Sequence, residues 1–458
     1  MTFDPTLAAI RFGTGLSPRR EPAQDVGQML DDLAGPDRMD TRHAIPAYDE
    51  ARPSLAQMYR ANLLLREARQ AGQEEAALPE FRAVRANAAE RRVADHLATM
   101  ARALDSKFGL RERLCAFWAD HFTIRARAFV QVHLVTPYVE DAIRPHVTGR
   151  FEDMLKAVVL HPMMLLYLDQ WRSTGPNSPL GQRQGRGLNE NLARELLELH
   201  LLGVDGAYTQ TDVRELAELL TGLVYHAERG FSFDRRMAEP GEEVVLGIRF
   251  DAEPRLETIL AALETLAMLP ETAAHLARKM AVHFIGPIPD PAMLARMERA
   301  YLDTGGNLLA MTAAMLHHPA AWVPERSKVR LPMEFITAGL RALGVTGRQI
   351  KTLHLRDYRR FVRDPLLVMG QPWEQPLGPD GWSEAPEDWI LPQAMAGRIS
   401  WAMQAPRALM ETLPDPRGFS VTALGPGASP AVLFAAQAAE TRRDGVGVVL
   451  ASAEFQRR

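Results

Sequence analysis

"RRVADHLATMARALDSKFGLRERLCAFWADHFT", residues 91–123, reads as amphipathic helix throughout. Val93, Leu97, Met100 and Leu104 recur at spacings of four, three and four, which stacks them on one face of a 3.6-residue turn. Leu110, Leu114, Phe117, Trp118 and His121 repeat the pattern, as do Leu276, Met280, His283 and Phe284, and then Leu294, Met297 and Tyr301. Breakers stand where such helices should end: Pro137, Pro145, Pro162, Gly175-Pro176-Asn177, Pro270, Pro287 and Pro319. Strand signal is thin. "GFSFD" (230–234) alternates, and "EEVVLGIRF" (242–250) is rich in β-branched residues, so the two are expected to pair as one small hairpin. The fold class is therefore mostly all-α: an irregular multi-helix bundle with a short β-hairpin near 230–250 and a coil-rich C-terminal portion.

Apolar helices continue to Val448-Val449-Leu450 and Phe455, which predicts one cooperative body. Residues 1–458 are read as a single helical domain, with 346–458 as a coil-rich C-terminal subdomain. Two irregular stretches, 172–191 and about 361–392, are long enough for functional loops. The second holds Trp373, Trp382 and Trp389 among prolines and glycines, where tryptophan more often plugs coil onto core than offers a stacking platform. "LKAVVLHPMML" (155–165), "LAMTAAMLHHPAAW" (309–322) and "GVGVVLASAEFQ" (445–456) each end an apolar helix with a short stop and a large side chain. Their irregular spacing marks a reused helix ending, not a solenoid repeat.

Composition narrows the function classes. Hydrophobic residues at 47% and charged ones at 24% suit an ordinary globular chain. A net charge of -4, with no basic run, argues against nucleic acid as a partner. Cys115 is the single cysteine, so no intramolecular disulfide forms, and its apolar setting predicts a buried thiol. The opening "MTFDPTLAAIRFGTG" has no basic segment followed by an apolar one, so no signal peptide is expected. No window approaches the roughly 18 apolar residues of a membrane span. The expected location is cytoplasmic.

The segment from Asn189 carries the densest chemistry. A helix capped by Asn189 would place Glu190, Asn191, Arg194, Glu195 and Glu198 on one arc, with Leu192, Leu196 and Leu199 opposite and His200 beside them. Carboxylates so arranged could hold a divalent metal through Glu190, Glu195 and Glu198, or act as acid and base. The plain alternative is a solvated face with Arg–Glu pairs. His121, in an apolar "HF" pair like His283, and His200 are the nitrogen donors by motif, and Glu195, Glu198, His200 and His121 form the candidate catalytic set. His121, His200 and His283 also read as packed core histidines, although His121 stands next to Asp120. Ahead of the helix, Ser173, Asn177, Ser178, Arg183 and Arg186, with Asn189, Asn191 and Arg194, form a candidate anion-binding loop at a helix amino end. No Gly-Lys-Ser/Thr ending, HExxH, CxxC or GxSxG accompanies it.

"YLDQWRSTGPNSPLGQRQGRGLNENLARELLELHLLGVDGAYTQTDVRELAELLTG" (167–222) resembles the central block of the domain-of-unknown-function 1800 family. "RFGTGLSP", "FWADHFT", "LARKMAVHF", "GQPWEQPLGPDGW" and the terminal "LASAEFQRR" match it as well, so the resemblance spans nearly the whole chain. One departure is the connection Met237-Ala238-Glu239-Pro240, where members often carry a histidine beside an acid. The resemblance implies a partner from the domain-of-unknown-function 1501 family, which is similar to alkaline phosphatases and sulfatases. Two functional classes follow. One is a non-catalytic partner of that co-encoded phosphatase- or sulfatase-like protein. The other is a metal-assisted hydrolase using the glutamate-rich helix face with histidine.

Overall fold

A computed structural model describes residues 3–126, 129–185, 187–226 and 229–458. The helices read from residues 91–123 lie at its centre. Helices α1 (Tyr48–Gln70) and α2 (Glu74–Asp105) form an antiparallel hairpin. The turn between them is closed by Gly72 at φ 72°, a left-handed conformation that glycine adopts without penalty. At 32 residues, α2 is about 48 Å long at 1.5 Å per residue. Gly109, at φ 83°, then starts α3 (Leu110–His121), and α4 (Val135–Ala142) follows.

Two hydrophobic cores result. The larger gathers buried side chains from Leu7 to Trp322, including Leu114, Phe117 and Trp118 of α3. The second joins Leu97, Met100 and Leu104 of α2 to Phe335, Ile336, Val345, Ile350, Trp401, Val449 and Phe455. The apolar stripe of α2 thus serves the second core, while that of α3 serves the first. Helix α2 lies on the seam between them.

Strand pairing departs from the expected single hairpin. β1 (Leu223–His226) pairs antiparallel with β2 (Gly230–Phe233), and β3 (Glu243–Val245) with β4 (Ile248–Phe250). Residues 242–250 fold on themselves because Leu246 and Gly247 both take positive φ, 54° and 77°, the requirement of a tight two-residue turn.

The region from Asn189 also differs in detail. Its helix, α5, runs Asn191–Glu195, and Asn189 accepts a bond from Asn191 N (2.9 Å) just ahead of it. A π-helical turn, Leu196–Leu201, continues α5. The wider turn rotates the buried face: Leu192, Leu196, Leu197 and Leu201 are fully buried, while Leu199 is only half-buried.

The remaining elements needed here are α6 (Gln210–Leu219), α7 (Pro270–Phe284), α8 (Pro332–Ala342), α9 (Pro392–Leu409) and α10 (Arg442–Ala451). Arg341 of α8 is 3% exposed and donates to the carbonyls of Gly15, Ala103, Leu104, Ser106 and Lys107 at 2.8–3.1 Å. That fork ties α8 to the end of α2 and to Gly15. The echoed helix endings have a shared cause. His161 Nδ1, His318 Nδ1 and Ser452 Oγ each accept a main-chain N–H of the next turn, from Met163, Ala320 and Phe455. No described helix is long and apolar enough to cross a membrane.

Candidate functional site

Where α2, α3, α4 and the start of α8 meet, the seam opens into a pocket of about 250 Å³ with mostly apolar walls. Space exists because α3 presents small side chains there. Ala116 and Ala119 are one turn apart, and Ala116 is exposed to the pocket although it lies mid-helix. The coil after residue 370 roofs it with Gln371, Trp373, Glu374 and Trp382. Sites at the junction of two packed units are common for small ligands.

Buried charges ring this pocket, and most are paired. Arg102 of α2 donates to Glu140 (2.7 Å) and Asp40 (3.0 Å). Arg144 meets Glu112 (2.8 Å) and Asp37 (2.7 Å), and Arg113 meets Glu334 (2.6 Å). His283 Nε2 accepts from Arg113 Nη2 (3.1 Å), so the proton sits on Nδ1, which donates to Glu384 (2.6 Å). Burial pushes the His283 pKa down to about 4, which keeps the ring neutral. Although burial works against it, Glu384 is held well below the usual carboxylate range by His283 and Lys328.

Two carboxyl groups on the wall have raised pKa values: Asp120 has no ion-pair partner among the described residues, and Glu374 has only Arg92 Nε, at 3.7 Å. Asp120, at the end of α3, accepts Trp382 N–H (2.9 Å). Burial pushes its pKa up to about 7 against that bond and Lys279, with Glu384 and Asp380 adding to the rise. Glu374 enters from the roof, where it accepts the Thr136 hydroxyl. Burial pushes it to about 7 as well, with Asp95 adding to the rise and Arg92 opposing it. Glu374 holds φ 55°, a strained value for a side chain with a Cβ. Its neighbours impose it: Arg92 donates to Trp373 O (2.6 Å), and the Trp373 ring stacks on His96 at 4.0 Å.

The residues singled out from the sequence fall into three groups. Glu190 and Glu198 both pair with Arg194, at 3.2 and 3.0 Å along α5. Glu195 turns to the other side, where burial, Glu198 and Asp380 raise its pKa to about 7. The rings of His121 and His200 are 5.5 Å apart. His121 Nε2 donates to His200 O (3.2 Å), leaving His121 Nδ1, His200 Nδ1 and Glu195 Oε2 buried without a partner. Burial keeps both rings neutral, with His200 pushed to about 3. His275, 6.2 Å from His121, completes this cluster and was not read from the sequence.

In the third group the loop side chains bond to the protein itself. Ser173 accepts Asn189 N (3.0 Å), and Asn177 donates to Glu239 through N (2.9 Å) and Nδ2 (2.5 Å). Ser178 caps the helix Pro179–Gln184 through Gly181 N (3.1 Å), and Asn189 and Asn191 both donate to Leu168 O. Arg183 is exposed, and Arg186 lies outside the described residues. Among the described residues, the one trio of acidic, histidine or cysteine donor atoms within 4.8 Å is Glu215, Glu218 and Glu243.

Arg330, Glu374 and Asp95 were not read from the sequence. Their meaning depends on a seam between segments more than 200 residues apart in the chain. The only available signal was the tryptophan-rich stretch at 370–382, which does face the pocket. Neither curated proteins nor solved structures include a match to this chain. One protein family, described as "Protein of unknown function (DUF1800)", matches residues 8–457, so the chain belongs to the DUF1800 family.

Proposed function

We propose that the chain is an enzyme performing acid–base chemistry on a small molecule held in the seam pocket. The observation that carries this reading is a pair of carboxyl groups, Asp120 and Glu374, poised near neutrality on the wall of one mostly apolar pocket. A carboxyl titrating near the working pH can both take and return a proton, which is the requirement for general acid–base catalysis. Each is anchored by a separate neighbour, Trp382 N–H and the Thr136 hydroxyl, so their positions are set independently. The observations concentrate on this pocket rather than on an accessory role beside a phosphatase- or sulfatase-like partner.

Metal-assisted hydrolysis is the second reading, and a specific observation favours it. Glu195 Oε2, His121 Nδ1 and His200 Nδ1 are each buried without a partner, and the two histidine rings lie 5.5 Å apart, although the three donor atoms are not all within 4.8 Å of one another. They are the nitrogen and oxygen types that take zinc or a related divalent ion.

The test incubates a pool of small metabolites with the parent protein, D120N and E374Q, and follows each compound by mass spectrometry. At least one compound should be consumed by the parent and fall at least 100-fold in rate with either variant. Consumption that both variants support at the parental rate rejects the acid–base pair. Loss of turnover on chelation, restored by a divalent ion, selects the second reading.

A further inference from the structure

The pocket wall carries one cation that the protein itself does not fully neutralise. Arg330, just before α8, lines the pocket and is 3% exposed. Its guanidinium donates to a single protein acceptor among the described residues, Phe455 O (2.5 Å), and otherwise rests on the Phe455 ring. No carboxylate in the described structure forms an ion pair with it.

Other buried arginines of this chain show what a structural role looks like. Arg341 is saturated by main-chain carbonyls, Arg102 by two carboxylates and a carbonyl, and Arg144 by Asp37 and Glu112. Arg330 instead keeps donors in hand at the pocket. Its surroundings compensate only in part: the one carboxylate that acts on it, Glu334, is shared between Arg113 (2.6 Å) and Arg458 (2.8 Å), and Arg398 donates to the Arg330 carbonyl (2.8 Å). Several guanidinium groups therefore crowd around one carboxylate.

The amino end of α8, an 11-residue helix, borders the same wall and adds the positive end of its dipole. Its first turn is partly closed, since Met333 N–H bonds Gln371 (2.8 Å), so the guanidinium is the principal donor. A buried cation compensated only in part is costly, and the cost is relieved when an anion arrives with matching acceptors.

We propose that the pocket receives its substrate by an anionic group, a carboxylate or a phosphate, bound by Arg330, with the mostly apolar body of the molecule against Ala116, Ala119 and the roof. The proposal rests on the seam pocket being the substrate site and names the class of molecule it takes: a small organic acid or phosphomonoester. A planar guanidinium pairs with either anion through two parallel bonds. A pocket of about 250 Å³ is close to the usual size of a small-molecule site.

Thermal melts of the full chain are titrated with inorganic phosphate and with propionate at constant ionic strength. At least one probe should raise the melting temperature saturably. R330Q should weaken its apparent affinity at least tenfold, while R407Q, at an exposed position of α9, leaves it unchanged. A116L fills the pocket while keeping the guanidinium and should also weaken it tenfold; it serves as the decisive variant if R330Q does not fold. The probe that acts identifies the headgroup. No saturable response to either anion, or an equal response in the parent and A116L, overturns the proposal. The metabolite assay with D120N and E374Q is independent of this outcome, so the acid–base reading stands or falls separately.

Discussion

Replacing the Asp120 carboxyl by an amide removes its charge and keeps its shape and its acceptor for Trp382 N–H. An acid whose folded pKa is raised contributes stability that is complete below its unfolded pKa, about 3.9. That contribution is lost as pH rises through the folded value, here about 7. The amide does not titrate and has no such loss. D120N should therefore gain on the parent between pH 4 and 7, by on the order of 4 kcal/mol at most. Melts across that range check it, and a difference that does not change with pH would contradict the raised pKa. At this scale the sequence was partly legible. Asp120 stood out beside His121, and the histidines did prove buried. Glu374 and Arg330 carried no local signal, because neither residue type nor spacing tells which charges lack a partner after folding.

Helix periodicity predicted elements well and faces less well. The Leu192–Leu196 stripe lies against the core as its spacing implied, but the π turn at Leu196–Leu201 inserts an extra residue and turns Leu199 outward. Leu196→Ala should cost about 2–5 kcal/mol, and Leu199→Ala less than about 1 kcal/mol, in chemical denaturation. Equal losses would place the face as a straight α-helix would. The two hairpins make a similar point. Alternation marks strands but not partners, and Leu246-Gly247 decides the partner of β3 through backbone sign alone. A Cβ at Gly247 would touch nothing within 4 Å, so Gly247→Ala isolates the cost of φ 77°. The expected loss is about 1–2 kcal/mol, and an unchanged denaturation midpoint would argue against the turn.

For the whole molecule, sharing α2 between two cores predicts one calorimetric unfolding transition. Arg341 ties α8 to the end of α2 and to Gly15, and Arg341→Met removes five hydrogen bonds to main-chain carbonyls, three of them buried. It should lower stability by at least about 3 kcal/mol. Two resolved transitions in the parent would contradict a shared core. The seam could not be read in advance, because the segments that form it are distant in sequence and the pocket is defined by what α3 leaves out, the bulk missing at Ala116 and Ala119. The acid–base reading depends on the two carboxyl groups facing that space. The most direct test is a carbon-13 NMR titration of the aspartate and glutamate carboxyl carbons, assigned with D120N and E374Q. Two signals titrating near pH 7, each absent from its own variant, are the expected result; both carboxyls titrating below about pH 5, in the ordinary carboxylate range, would contradict the acid–base pair.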